Sequence, residues 1–301
     1  MKKSVSMLLA ALMLTVALAG CGSSASTSAS GTQAADGADS GVSGAITVIS
    51  REDGSGTRGA FIELTGVEEK TADGKKVDNT TADAEIANKT DVVLTSVAGN
   101  EKAIGYISLG ALNDTVKAVK VDGAEATVDN VKAGAYKLSR PFNIATKGEP
   151  TGVAKDFISF ILSKEGQAVV TDNKYIAVND AAESFVSDGS SGQIAVGGSS
   201  SVSPVMEKLI EAYKSVNPNA SIDLQTSDST SGMTGAMDGT FAIGMASREL
   251  KDEEAAQLTG TAIALDGIAV IVNPANTIDE LSMDQIKSIY IGDITDWGDL
   301  A

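Results

Sequence analysis

Short β-rich runs alternate with helical patterns along nearly the whole chain, and this alternation restricts the fold more than any other property of the sequence. Strand candidates lie at residues 45–49, 92–95, 103–107, 142–145, 193–196, 222–225, 241–245 and 268–272. Between them, Ser203-Pro204 supplies a cap and a first-turn proline ahead of Val205, Leu209, Ile210 and Tyr213 on one helical face. Ser282 with Gln285 makes a capping box before Ile286 and Ile289, and Val153, Phe157, Phe160 and Ile161 mark a further amphipathic helix with core aromatics. Such alternation predicts an α/β architecture. Residues 179–192 are polar, separate two patterned blocks and read as a linker or surface loop.

The chain opens with Lys2 and Lys3, an apolar run over residues 7–19 and then Leu18-Ala19-Gly20-Cys21. Basic start, short apolar core and small residues before a cysteine predict a lipoprotein export signal over residues 1–20, with cleavage and lipidation at Cys21. The run is too short to span a bilayer comfortably. An ordinary secretory signal with an incidental cysteine is the alternative. Cys21 is the only cysteine, so no internal disulfide can form. Residues 21–43, rich in Ser, Ala, Gly, Thr and Asp, then form a flexible spacer that tethers the rest to the outer face of the cell membrane.

The remainder is long enough for one large or two modest domains. The full chain's formal charge of −17, with 40 acidic against 23 basic residues, becomes −19 once Lys2 and Lys3 leave with the signal (−17 − 2) and argues against nucleic acid and anionic lipid headgroups as partners. An anion site must therefore be built locally, against the average field. With no histidine and a single cysteine, Cys/His zinc sites, histidine bases and free thiol nucleophiles are excluded, and nothing implies a metal or a cofactor.

Two segments, residues 50–58 (Ser-Arg-Glu-Asp-Gly-Ser-Gly-Thr-Arg) and residues 197–207 (Gly-Gly-Ser-Ser-Ser-Val-Ser-Pro-Val-Met-Glu), each follow a β-rich run and precede a helical pattern. Both place hydroxyls and backbone N–H groups at a helix N-terminus, where a dianion is best held. Ser55, Gly56 and Thr57 supply donors and close backbone approach, and Arg51 offers a planar fork to two oxygens. Asp53 is the expected acceptor behind the Arg51 guanidinium, while Arg58 reads as a ligand contact or a surface residue. Ser200 and Ser201, and Thr230 with Ser231, stand at two further helix starts. The bland alternatives are a glycine-rich turn with a structural ion pair and capping hydroxyls without further role.

Together with Ile243-Gly244-Met245-Ala246-Ser247-Arg248-Glu249-Leu250, with Asp266-Gly267-Ile268-Ala269-Val270 and with the closing residues 289–297, these segments resemble the phosphate-binding lipoproteins of bacterial phosphate ABC importers. The resemblance covers nearly everything after the spacer. It implies a two-lobed type II periplasmic-binding-protein fold with strands crossing near residues 138–142 and 266–272. One lobe would comprise residues 44–139 plus 267–301, the other residues 140–266, and both would close about the ligand by hinge motion. The order of the blocks departs from the family, with the Gly-Ser-Gly-Thr block first, and circular permutation is the simplest account. A fragment of a tandem fusion is the rival. The family's aspartate after Gly-Ala-Ser is replaced here by Arg248 following Ser247, which leaves Asp266 as an acceptor for the phosphate proton, or else as a hinge or capping residue.

The resemblance implies a monomeric, lipid-anchored receptor without catalysis that passes inorganic phosphate to ABC permease subunits. Its set of ligand residues is then Arg51, Ser55, Gly56, Thr57, Ser200, Ser201, Thr230, Ser231, Ser247, Arg248 and Asp266. Competing expectations are a receptor for sulfate or molybdate, a surface phosphatase on the same fold and a structural lipoprotein.

Overall fold

The computed structural model describes residues 42–300, so the expected signal, Cys21 and nearly all of the spacer lie outside the described residues. Its main sheet runs in the order Ala220–Ser227, Gly192–Ser199, Ile243–Ala246, Ser139–Thr146, Thr259–Val272, Ala103–Ser108, Thr47–Arg51, Glu85–Ala87. Pairing is parallel at both ends of this order and antiparallel in the middle. The middle is made by two strands in register from Thr259 opposite Thr146 to Gly267 opposite Ser139, with a bulge between Ala262 and Ala264.

These two strands pass from one apolar core to another. The first core gathers Phe61, Val93, Tyr106, Leu138, Ile268, Ile289 and Trp297, drawn from both early and late parts of the described chain. The second gathers Phe142, Phe157, Phe160, Val205, Leu209, Tyr213 and Ile263 from one uninterrupted stretch, beside a small satellite around Met233 and Leu258. The architecture is thus α/β and two-lobed.

Local chemistry accounts for most helices. Gly56–Thr65 starts at the Ser55 cap, whose hydroxyl accepts from the Arg58 N–H, and stops at Gly66 with φ of 74°. Met283–Ile291 has the expected Ser282/Gln285 capping box, and Gly152–Leu162 buries Val153, Phe157, Phe160 and Ile161. In Ser203–Val216 the expected cap, Ser203, is instead the first helical residue, and Val202 precedes it in helical geometry. The Ser203 hydroxyl donates back to the Ser199 carbonyl at 3.2 Å.

Residues 92–95 are not a strand. They lie in the helix Thr90–Ala98, which buries Thr90, Val93 and Val97. Their β-branched composition favours a strand, but the three-and-four spacing of the buried positions fits one helical face, and packing decides.

The polar stretch between the two blocks runs without regular structure from residue 179 to 191, yet it is tied down. The Asp156 carboxylate accepts from Ser187 Oγ (2.8 Å), Asp188 N (2.9 Å), Tyr213 Oη (2.7 Å) and Asn217 Nδ2 (3.1 Å). At the opposite side of the sequence, residues 44–46 lie against residues 295–297: Ile46 N donates to Thr295 O at 2.8 Å and Trp297 N to Gly44 O at 3.1 Å.

Candidate anion-binding site

Hydroxyl groups from both cores meet between them. Thr57 and Thr90 come from helix starts of the first, Ser199, Ser200 and Ser201 from the strand end before Ser203–Val216, Ser229 from the start of Ser229–Asp238, and Ser247 from the end of Ile243–Ala246. All of them are buried. Thr57 Oγ1 lies 2.8 Å from Ser201 Oγ and 3.3 Å from Ser247 Oγ, and Ser199 Oγ donates to Ser247 Oγ at 3.0 Å. Thr90 Oγ1 lies 3.4 and 3.3 Å from Ser200 Oγ and Ser201 Oγ. A hydroxyl donates one proton and accepts on two lone pairs, so these groups can turn from one another toward an oxyanion without moving the backbone.

Close approach of the two halves is permitted by glycine. A Cβ on Gly56 would collide with Ser229 Oγ and come within 2.8 Å of Ser247 Oγ. At Gly54 the carbonyl accepts from Thr230 N at 3.1 Å, a direct backbone bond between the lobes.

Arg51 ends its strand in this cluster and is only 2% exposed. Its backbone N–H is held by Tyr106 Oη at 3.1 Å, and that ring stacks on Phe61 at 3.9 Å. Nη2 donates to Ser200 Oγ at 3.1 Å. The carboxylate behind the guanidinium is Glu52 (2.8 Å to Nε, 2.7 Å to Nη2), not Asp53. Asp53 is 97% exposed and pairs with Arg58 at 3.1 Å. In the extended backbone at the end of Thr47–Arg51 neighbouring side chains diverge, which separates Glu52 from Asp53. The Arg58 side chain, 12% exposed, is committed to Asp78 (2.8 Å) and the Arg51 carbonyl (2.6 Å) and is neither a free surface residue nor a partner of the hydroxyl cluster.

Three further expectations need correction. Ser231 is exposed and bonds Asp228, the residue that caps its helix, so the inward hydroxyl of that helix start is Ser229, which accepts from Ser247 N at 3.1 Å. Thr230 donates its hydroxyl to Gly54 O at 3.3 Å and serves the contact between lobes. Arg248 forks onto Glu254 at 2.7 and 2.8 Å and reaches Thr230 Oγ1 from Nη2 at 3.4 Å, with no hydrogen bond to the hydroxyl cluster among the described residues. Burial raises the Glu254 carboxyl, but the Arg248 fork and the Lys251 N–H prevail and hold it below its usual range.

Asp266 is buried at the strand crossing, but one of its oxygens is held by Arg140 Nη1 at 2.5 Å and the other by Gly110 N at 3.3 Å. Burial pushes its carboxyl up, and the Arg140 charge pulls against this. Asp266 makes no hydrogen bond to the hydroxyl cluster; Arg140 stands between, with Nη2 on Thr57 Oγ1 at 3.2 Å. Direct proton acceptance by Asp266 is therefore not what this geometry supports. Of the expected residues, Gly56, Thr57, Ser200, Ser201 and Ser247 come together with Arg51, whereas the Ser55 hydroxyl is taken up by the Arg58 N–H as a helix cap. Thr90, Ser199, Ser229, Glu52 and Arg140 were missed; among these, an arginine inside the apolar Ser139–Thr146 strand was the readable signal, because a buried cation demands partners.

Comparison with known proteins agrees with the architecture. The family model of the PBP superfamily domain matches residues 24–165 and 184–301. The chain is 50% identical over 286 residues to phosphate-binding protein PstS 2 of Streptococcus agalactiae, covering 94% of this chain and 93% of that protein. A crystal structure of a phosphate-binding protein of a phosphate ABC transporter from Streptococcus pneumoniae matches with a TM-score of 0.69 at 50% identity, over 86% of this chain and 100% of that one. Phosphate-binding protein PstS of Bacillus subtilis is 34% identical over 137 residues, 45% of this chain and 42% of that protein.

Proposed function

We propose that this chain, which belongs to the PstS family of phosphate-binding proteins within the PBP superfamily, captures inorganic phosphate outside the cell membrane and delivers it to the permease of a phosphate ABC importer. The observation that carries this reading is the convergence of Arg51, Gly56 and Thr57 with Ser200, Ser201, Ser229 and Ser247 at three helix N-termini between two lobes. Helix termini and hydroxyls supply many donors, and a guanidinium supplies charge, which is what a phosphate of about −1.5 to −2 requires. No proton-transfer chemistry is assigned to any residue: the hydroxyls are bound to one another, and no histidine is present to activate them. The anchor on Cys21 and a monomeric state belong to the same proposal.

The lobes are assigned to residues 44–139 plus 267–301 and to residues 140–266, a division supported by the membership of the two cores apart from Ile176 and Leu265, which pack on the first. We also propose that the block order is a circular permutation relative to other family members. Residues 44–46 lie against residues 295–297, as joined neighbours in an unpermuted order would. The order is not peculiar to this chain, since one alignment spans 94% of it and 93% of the Streptococcus agalactiae protein. The Bacillus subtilis protein aligns over less than half of either chain, as one block of a reordered pair would.

A receptor for another tetrahedral oxyanion is the second reading. It is favoured by the carboxylates nearest the hydroxyls: Glu52 and Asp266 are both engaged by arginine, leaving hydroxyls to accept any ligand proton. Calorimetry of the chain from residue 22 onward with phosphate, sulfate and molybdate decides. Tight phosphate binding with weak sulfate binding supports the first reading, comparable affinities support the second, and no binding of any of the three removes both.

A further inference from the structure

Arg140 sits at the start of the strand Ser139–Thr146, where the chain passes from one lobe to the other, and is 3% exposed. Nη1 is fully used, by Asp266 Oδ2 at 2.5 Å and Gly267 O at 2.7 Å. Nη2 has one partner, Thr57 Oγ1 at 3.2 Å, and Nε is buried without any. A guanidinium carries five N–H groups, so the Nε–Nη2 edge, the one that forks onto oxyanions, retains two uncommitted donors. An unspent donor in a buried site is costly unless something fills it.

Arg140 also constrains the cluster. Because it can only donate, it occupies a lone pair of Thr57 Oγ1 and turns the single Thr57 proton toward Ser201, Ser247 or whatever lies between them. Resting on the phosphate reading, we propose that Arg140 is a second cation of the anion site, held in place by Asp266, and that the site therefore grips its ligand from the strand crossing as well as from the helix termini. The two arginines approach from different elements, Arg51 from the end of Thr47–Arg51 and Arg140 from the crossing strand, and each is balanced by one carboxylate. Asp266 is the positioning residue in this pair. Its role is to aim the fork and to moderate the field.

The test uses three variants and phosphate calorimetry, with thermal melting as control for folding. Arg140→Gln alone would leave Asp266 unpaired, so Arg140→Gln is combined with Asp266→Asn, which removes both charges and keeps hydrogen-bonding side chains. The double variant is expected to melt within a few degrees of the parent and to bind phosphate roughly tenfold to a hundredfold more weakly. Arg140→Lys, which keeps the charge without the fork, is expected to recover part of that loss. Asp266→Asn alone, which keeps an acceptor for Arg140 Nη1 but loses the charge that holds the fork, is expected to weaken phosphate binding a few-fold and to leave the phosphate-to-sulfate ratio unchanged, since it removes no ligand contact. Parent-like affinity in the folded double variant overturns the proposal; should the double variant not fold, Arg140→Gln alone takes its place, and parent-like affinity there overturns it. Weaker phosphate binding with improved sulfate binding in Asp266→Asn would return the acceptor role to Asp266 and overturn its assignment as a positioning residue. Failure of the parent itself to bind phosphate removes the phosphate reading instead, which separates the two.

Discussion

At the scale of single residues, Arg51 and Ser55 do different work although they share one motif. Arg51 brings charge and a fork to the cluster, whereas the Ser55 hydroxyl is spent on the Arg58 N–H at the helix start. Arg51→Ala is expected to weaken phosphate binding by about 2 to 3 kcal/mol, roughly thirtyfold to more than a hundredfold. Ser55→Ala is expected to lose about 1 kcal/mol of stability as a missing cap and less affinity than Arg51→Ala. Calorimetry and melting of both variants check the pair, and parent-like binding by Arg51→Ala would displace the site. What could be read in the sequence was local: Ser55, Gly56, Thr57, Ser200 and Ser201 are marked by the strand-to-helix turn that carries them. What could not be read depends on direction or distance. Whether Ser229 or Ser231 faces inward follows from Asp228 taking the cap, and Arg140 meets its carboxylate 126 residues away.

Among the elements, the connecting stretch between the two blocks is the instructive one. Its composition reads correctly as a loop, but composition cannot show that Asp156 anchors it, because that carboxylate belongs to the helix Gly152–Leu162. The same limit explains residues 92–95, where β-branched side chains concealed a helical period of buried positions. Burial raises the Asp156 carboxyl, but bonds from Asp188, Tyr213, Ser187 and Asn217 outweigh it and leave the folded value depressed. A depressed carboxylate stabilises the fold above its unfolded value of about 3.9, and that contribution is lost as pH falls through the folded value. Asp156→Ala is expected to destabilise by about 3 kcal/mol near pH 7, by leaving buried donors unpaired. Denaturant melts at pH 7 and at progressively lower pH should show the gap between parent and variant narrowing as the depressed folded value is passed; a gap that does not narrow would assign the loss to packing.

For the whole molecule, the adjacency of residues 44–46 and 295–297 predicts that block order is not essential to the fold. Joining residue 301 to residue 46 through a short glycine linker, and cutting beside exposed Ala181 upstream of the Asp156 anchor, should give a soluble chain with parent-like phosphate affinity. An insoluble product, or a parent chain that light scattering shows to be an exchanged dimer, would count against the permutation.

Chain order acquires a meaning in time when the protein is made. The second core lies wholly between Phe142 and Ala264 and can close as soon as that stretch is available, whereas the first must wait for Ile268, Ile289 and Trp297. A folding unit drawn from one contiguous stretch avoids the long loop closure that a split unit requires. Refolding followed by pulsed hydrogen exchange should therefore protect Val196 and Met245 before Ile104 and Tyr106. Early segments of the split lobe, including the strand that carries Arg51, would meanwhile hold unpaired edges and apolar faces, making this lobe the vulnerable one for chaperones and proteases during synthesis and export.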